Sequence, residues 1–76
     1  MEEYRFDIAL KMARENKGYS QKQLARMSLL STSAIGKIER GITIPELDTI
    51  DLLCKALKIS KLQFLISAGY LENNIN

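Results

Sequence analysis

The sequence predicts an all-α fold, a compact bundle of about five short helices. Strand signals are missing: there is no sustained alternation of apolar and polar residues and no Asn-Gly or Asp-Gly hairpin. Helix starts and stops recur at close spacing instead. With 76 residues, 46% of them apolar and 26% charged, the chain has a folding composition and room for one core of roughly fifteen side chains.

The first helix is expected over about residues 3–16. Phe6, Leu10, Ala13 and Lys17 form one stripe, which Tyr4, Ile8 and Met12 widen, and Gly18 ends it as a C-cap. Ser20-Gln21-Lys22-Gln23 is a capping box, so a second helix starts at Gln21 and buries Leu24, Ala25 and Met27. Ser31 caps a third, with Ile35 and Ile38 inward, and Gly41 stops it. Pro45 marks the start of a fourth, capped by Thr43 or Glu46, with Leu47, Ile50, Leu53, Cys54 and Leu57 at helical spacing. Ser60-Lys61-Leu62-Gln63 is a second capping box and opens a fifth helix that ends at Gly69. Residues 1–71 thus read as one domain and 72–76 as a frayed tail.

Composition narrows the function. A lone cysteine, Cys54, and no histidine leave neither a disulfide nor a zinc cluster, so no metal and no cofactor are expected. Cys54 reads as core filling. No general base, no nucleophile with a partner and no phosphate loop come together, so no small-molecule substrate and no enzymatic activity are expected. No apolar run reaches the ~18 residues of a membrane span, and the acidic start Met1-Glu2-Glu3 is unlike a signal peptide, which together point to the cytoplasm. Net charge is +2, split into +3 over residues 1–41 and −1 over residues 42–76. A basic N-terminal half suits an anionic partner.

The informative object is the pair of short helices within residues 21–39. A small residue at their crossing, Ala25 against Ile35, allows the steep approach of a helix-turn-helix, whose second helix projects from the body. The rear of that helix is held by Ile35 and Ile38. Its outer face carries mainly small residues, Thr32, Ser33, Ala34 and Gly36, with Lys37 as the one charge. A helix that enters a DNA groove needs such a face, with its N-terminus, here Ser31 and Thr32, turned toward the groove.

From residue 14 to residue 65 the chain resembles the lambda-repressor-like (Cro/CI or XRE) helix-turn-helix domain family. The resemblance rests on Arg14, Gly18-Tyr19-Ser20-Gln21 and Leu24-Ala25, then Ser31, Ile35 and Ile38-Glu39-Arg40-Gly41, then Pro45-Glu46-Leu47, with Leu53, Ala56-Leu57, Ile59-Ser60 and Phe64-Leu65 completing it. It implies a sequence-specific regulator of transcription that binds double-stranded DNA, a repressor in a phage, mobile element or small regulatory circuit. Gln21, Thr32, Ser33, Gly36 and Lys37 would face the bases. Ser31, Arg40, Gly41 and Thr43, with the backbone around the last two, would hold the DNA backbone. Arg14 and Glu39 would form an internal ion pair.

Three residue choices depart from the family pattern. Leu29 stands in the turn where glycine is usual, at about 1 kcal/mol or more if its backbone is left-handed; either the turn is built differently or its surroundings absorb the strain. Ile42-Thr43-Ile44 replaces a basic stretch, which implies fewer neutralised phosphates. Thr32 and Ser33 are shorter than the side chains usual there, which shifts specificity toward Lys37, bridging water and DNA shape.

One such domain covers few base pairs, so a homodimer on a palindromic operator is expected. Leu62, Ile66 and Tyr70, at i, i+4 and i+8, with Leu71 beside them, make the expected interface; alternatively they fold back over the first helix. A protein-interaction module of the antitoxin type is the competing class, and a restriction–modification controller is a subtype of the first.

Overall fold

Serine caps and left-handed turns set the helix boundaries. In the computed structural model, which describes residues 4–70, the order is α1 (Phe6–Asn16), α2 (Gln21–Ser28), α3 (Thr32–Glu39), α4 (Leu47–Leu57) and α5 (Lys61–Ser67). No strand occurs among the described residues. The 72–76 tail and Leu71 lie outside them.

At α2 both halves of the capping box form: Gln23 N–H donates to Ser20 Oγ at 3.0 Å, and Ser20 N–H donates to Gln23 Oε1 at 2.7 Å. Ser31 Oγ accepts from Ala34 N–H at 3.0 Å and so fixes the start of α3. Ser60 Oγ accepts from Gln63 N–H at 2.9 Å, but the return bond of that box does not form. Glu46, not Thr43, is the N-cap of α4, and it makes no side-chain cap bond. The first helix begins at Phe6, later than the sequence implies. Arg5 is its N-cap and donates its N–H to the Ala68 carbonyl at 2.8 Å, so the end of α5 fixes the entry to α1.

The core draws on every helix: Phe6, Ala9 and Leu10 of α1, Leu24 and Ala25 of α2, Ile35 and Ile38 of α3, Ile50, Leu53, Cys54 and Leu57 of α4, and Phe64 and Leu65 of α5. Burial pushes the Cys54 thiol up, as befits a small core residue. Five expected core positions fall outside it, Tyr4 among them because it precedes α1. Ile8 and Met12 are exposed because α1 turns Ala9 and Arg14 inward instead; Met27 yields its place to Ser28, whose hydroxyl donates to the Leu24 carbonyl at 2.7 Å; Leu47 is exposed beside the buried Pro45.

Leu29 is the C-cap of α2 with φ 65° and ψ 23°, the left-handed conformation, so the turn keeps the family shape without glycine. Its N–H and that of Leu30 both reach the Ala25 carbonyl, and Leu30 is partly buried against the core. The Leu29 side chain is 84% exposed, so packing does not offset the strain. Lys58 ends α4 in the same way, with φ 57°. Leu29→Gly is therefore expected to stabilise the protein by about 0.5–1 kcal/mol, less than the full strain because glycine also loosens the unfolded chain. A higher urea midpoint with an unchanged m-value is the expected readout.

Candidate nucleic-acid interface

An eight-residue helix is too short to hold itself in water, so α3 takes its orientation from the body. Ile35 and Ile38 anchor its rear in the core. On the opposite side Thr32, Ser33 and Lys37 are exposed, Ala34 is half-buried, and Ser31 stands exposed at the cap. The side chains of Thr32, Ser33 and Lys37 make no hydrogen bond or ion pair among the described residues, which leaves their polar atoms open to a partner. Ser33 and Lys37 share an open groove of about 290 Å³ with Thr43, Ile44 and Pro45 of the following loop; Glu46 lines it as well.

A buried polar network fixes α3 to α1 and α2. Arg14 Nε donates to Glu39 Oε2 at 2.7 Å and Arg14 Nη2 donates to Glu39 Oε1 at 3.0 Å, a bidentate pair. The two side chains are only 11% and 4% exposed. Arg14 Nη1 donates to the Tyr19 carbonyl at 2.7 Å, which secures the α1–α2 turn. Gln21 Nε2 donates to Glu39 Oε1 at 3.0 Å. The ion pair thus also holds the first side chain of α2, a link with no motif of its own in the sequence. Burial pushes the Glu39 carboxyl up, but hydrogen bonds from Arg14 and Gln21 and the charges of Arg14 and Lys11 outweigh it and leave it below the ordinary glutamate value.

Gly36 is not part of the open face. It is buried, and a Cβ there would lie 2.9 Å from Arg40 Nη1 and 3.7 Å from Gln21 Oε1. Arg40 folds back from the C-cap of α3 over the glycine, which the Gln21 side chain also approaches. The sequence places these residues apart; only the missing side chain at Gly36 hints that something lies across it. Around Gly41 the backbone amides are already engaged. Gly41 N–H donates to the Ile38 carbonyl, and those of Ile42 and Thr43 to the Lys37 carbonyl, at 3.0, 2.9 and 3.4 Å. The polar side chains this segment offers outward are Thr43 and Arg40, beside the exposed Ile42.

The expected stripe Leu62, Ile66 and Tyr70 does not persist, because α5 ends at Ser67 and Gly69 turns the chain with φ 82°. Leu62 is exposed and Ile66 half-buried, whereas Tyr70 packs edge-on against Tyr4 at 5.0 Å and lies 6.1 Å from Phe6. Among the described residues no group of three or more acidic, cysteine or histidine side chains is placed to hold a metal ion, and no helix is long and apolar enough to cross a membrane.

Residues 10–64 match the model of a family described as helix-turn-helix. An uncharacterized HTH-type transcriptional regulator, found in two strains of Mycobacterium tuberculosis, is 33% identical over 63 residues, 83% of this chain and 45% of that protein. The chain therefore spans less than half the length of the curated relatives it matches. The restriction–modification controller protein C.AhdI from Aeromonas hydrophila has a similar structure, with a TM-score of 0.76 and 36% identity over 80% of this chain and 92% of that one. The biofilm regulator SinR, solved in complex with DNA, has a TM-score of 0.74 and 28% identity over 79% of this chain and 97% of that one. These neighbours share the lambda-repressor-like fold.

The depressed Glu39 carboxyl has a consequence for stability. Its contribution is fully present above the unfolded glutamate value of about 4.3 and is lost as pH falls through the lower folded value. Glu39→Gln is expected to flatten the acid limb of a plot of urea midpoint against pH. An acid limb unchanged by the substitution would place the pH dependence elsewhere.

Proposed function

The chain belongs to the helix-turn-helix (HTH_3) family, and from that membership we propose that it is a sequence-specific transcriptional regulator that binds double-stranded DNA. It acts as a repressor and reads the major groove with α3, as a homodimer on a two-fold operator. The observation that carries this reading is the division of α3 into a rear locked by Ile35, Ile38 and the Arg14–Glu39 pair and a front whose Thr32, Ser33 and Lys37 have no partner among the described residues.

On this reading Lys37 supplies donors to base edges, and Thr32 and Ser33 make short direct or water-bridged contacts. Gln21 opens α2 with its Nε2 held by Glu39, which leaves its Oε1 and a second N–H to face the DNA. Arg40 lies at the same place and neutralises a phosphate, and Ser31 and Thr43 add hydroxyls from either end of α3. Gly36 lets Arg40 and the DNA backbone approach α3 closely instead of presenting a contact of its own.

The SinR structure supports the class of ligand, since a similar chain was solved with DNA. The C.AhdI match favours one subtype, a restriction–modification controller, because it runs over nearly the whole of that short chain. Location in the cytoplasm belongs to the same proposal.

Selection of sites from random duplex DNA tests it. The expected result is a palindromic consensus with half-sites about one helical turn apart. Lys37→Ala and Thr32→Ala are each expected to weaken binding to that consensus by about 1–3 kcal/mol while leaving nonspecific binding nearly intact. If both variants bound the consensus like the parent, α3 would not be the reading helix.

A further inference from the structure

Exposed apolar side chains gather where the loop after α3 meets α4 and the end of α5, and Ile44 and Pro45 border both this place and the groove of Ser33 and Lys37. Tyr4, Ile44, Leu47 and Tyr70 are 40%, 70%, 59% and 45% exposed, and all four line one groove of about 400 Å³ whose floor includes Ile50 and Leu65. The two tyrosine rings meet edge-on and hold each other in place. We infer that this groove seats a second copy of this chain across a two-fold axis, and that the dimer forms here. The inference rests on the dimeric reading proposed above and gives it a surface different from the α5 stripe.

Three observations single out a second copy as the occupant. The first is charge. Among the described residues Glu46 is the one charged side chain lining the groove, and it is exposed, so a contact here strips little charge of its water, and these residues offer nothing to a phosphate.

The second is area. From their exposures the four rim side chains present roughly 500 Å² per copy, about 1,000 Å² for the pair, the lower bound of a specific interface.

The third is position. Ile44 follows the C-cap of α3 by four residues, so a contact at this loop sets the separation of the two α3 helices. The rival apolar groove, between α1 and α5, carries Lys17 and Asn16 in its lining and lies away from that loop. On α5, Leu62 is left without Tyr70 beside it.

Sedimentation over a concentration series tests the surface, with circular dichroism to verify folding. The parent is expected to reach twice its 8.6 kDa mass. Leu47→Glu and Ile44→Glu are each expected to raise the dimer dissociation constant at least about tenfold, since a charge at the centre of an apolar interface loses its water. Both positions are exposed in the single chain, so both variants are expected to fold. Met12→Glu, on the outer side of α1, is expected to leave the constant unchanged. A dimer that survives both groove variants but dissociates with Leu62→Glu overturns this surface and leaves the dimeric reading standing. A parent that stays monomeric at every concentration and occupies the selected duplex as single copies overturns both.

Discussion

One buried guanidinium decides how the helices of this domain sit against one another. Arg14 comes from the end of α1, yet all three of its guanidinium nitrogens donate to α3 and to the turn into α2. Lysine at this position lacks the planar fork that grips both carboxylate oxygens while a third nitrogen reaches the Tyr19 carbonyl. The desolvation of such a pair offsets much of its attraction, so its value lies in geometry more than in net stability. Losing either partner leaves a buried charge behind, at about 3–5 kcal/mol, a large share of what a domain of this size has. The pair therefore acts as a latch that holds α3 in one orientation.

The working surface follows from that latch. Glu39 accepts three bonds, two from Arg14 and one from Gln21, so the carboxylate that positions α3 also aims the first side chain of α2. Apolar packing of Ile35 and Ile38 supplies the cohesion, and the network supplies the angle. Between these helices the missing side chain of Gly36 makes a seat for the Arg40 guanidinium. The helix that reads as nearly bare in sequence is covered at Gly36 by an arginine from its own C-cap. What remains open is narrow, Thr32, Ser33 and Lys37, and on the proposed reading so few long side chains make recognition lean on close approach and on the shape of the site.

Much of this was legible before the fold was known, and the misses have physical causes. Serine caps announce themselves because a hydroxyl at an N-cap bonds an amide three residues on, whatever the tertiary context, and Ser20, Ser31 and Ser60 all do so. The anchors Ile35 and Ile38 were equally plain. The inner face of α1 was misjudged because periodicity counts Ile8 and Met12 as apolar and Arg14 as polar, whereas the buried pair pulls Arg14 inward and turns the other two out. Tyr70 kept a helical spacing in sequence, but Gly69 turns the chain one step earlier and delivers the ring to Tyr4. Contacts such as Arg40 over Gly36, or Gln21 on Glu39, depend on which way a side chain folds back, and no one-dimensional pattern carries that. Leu29 shows the converse: the resemblance flagged a glycine position, and the structure keeps the left-handed turn at the cost of strain.

On the proposed DNA-binding reading Glu39 acts on recognition through Gln21, so the two residues contribute as one unit. A thermodynamic cycle measures this most directly, with Gln21→Ala, Glu39→Gln and the double variant each titrated with the selected duplex well below their melting temperatures. Each single substitution is expected to weaken binding, and the double variant to bind no more weakly than the poorer single one. Effects that simply add would mean that Gln21 and Glu39 serve the surface independently, and would contradict the coupling.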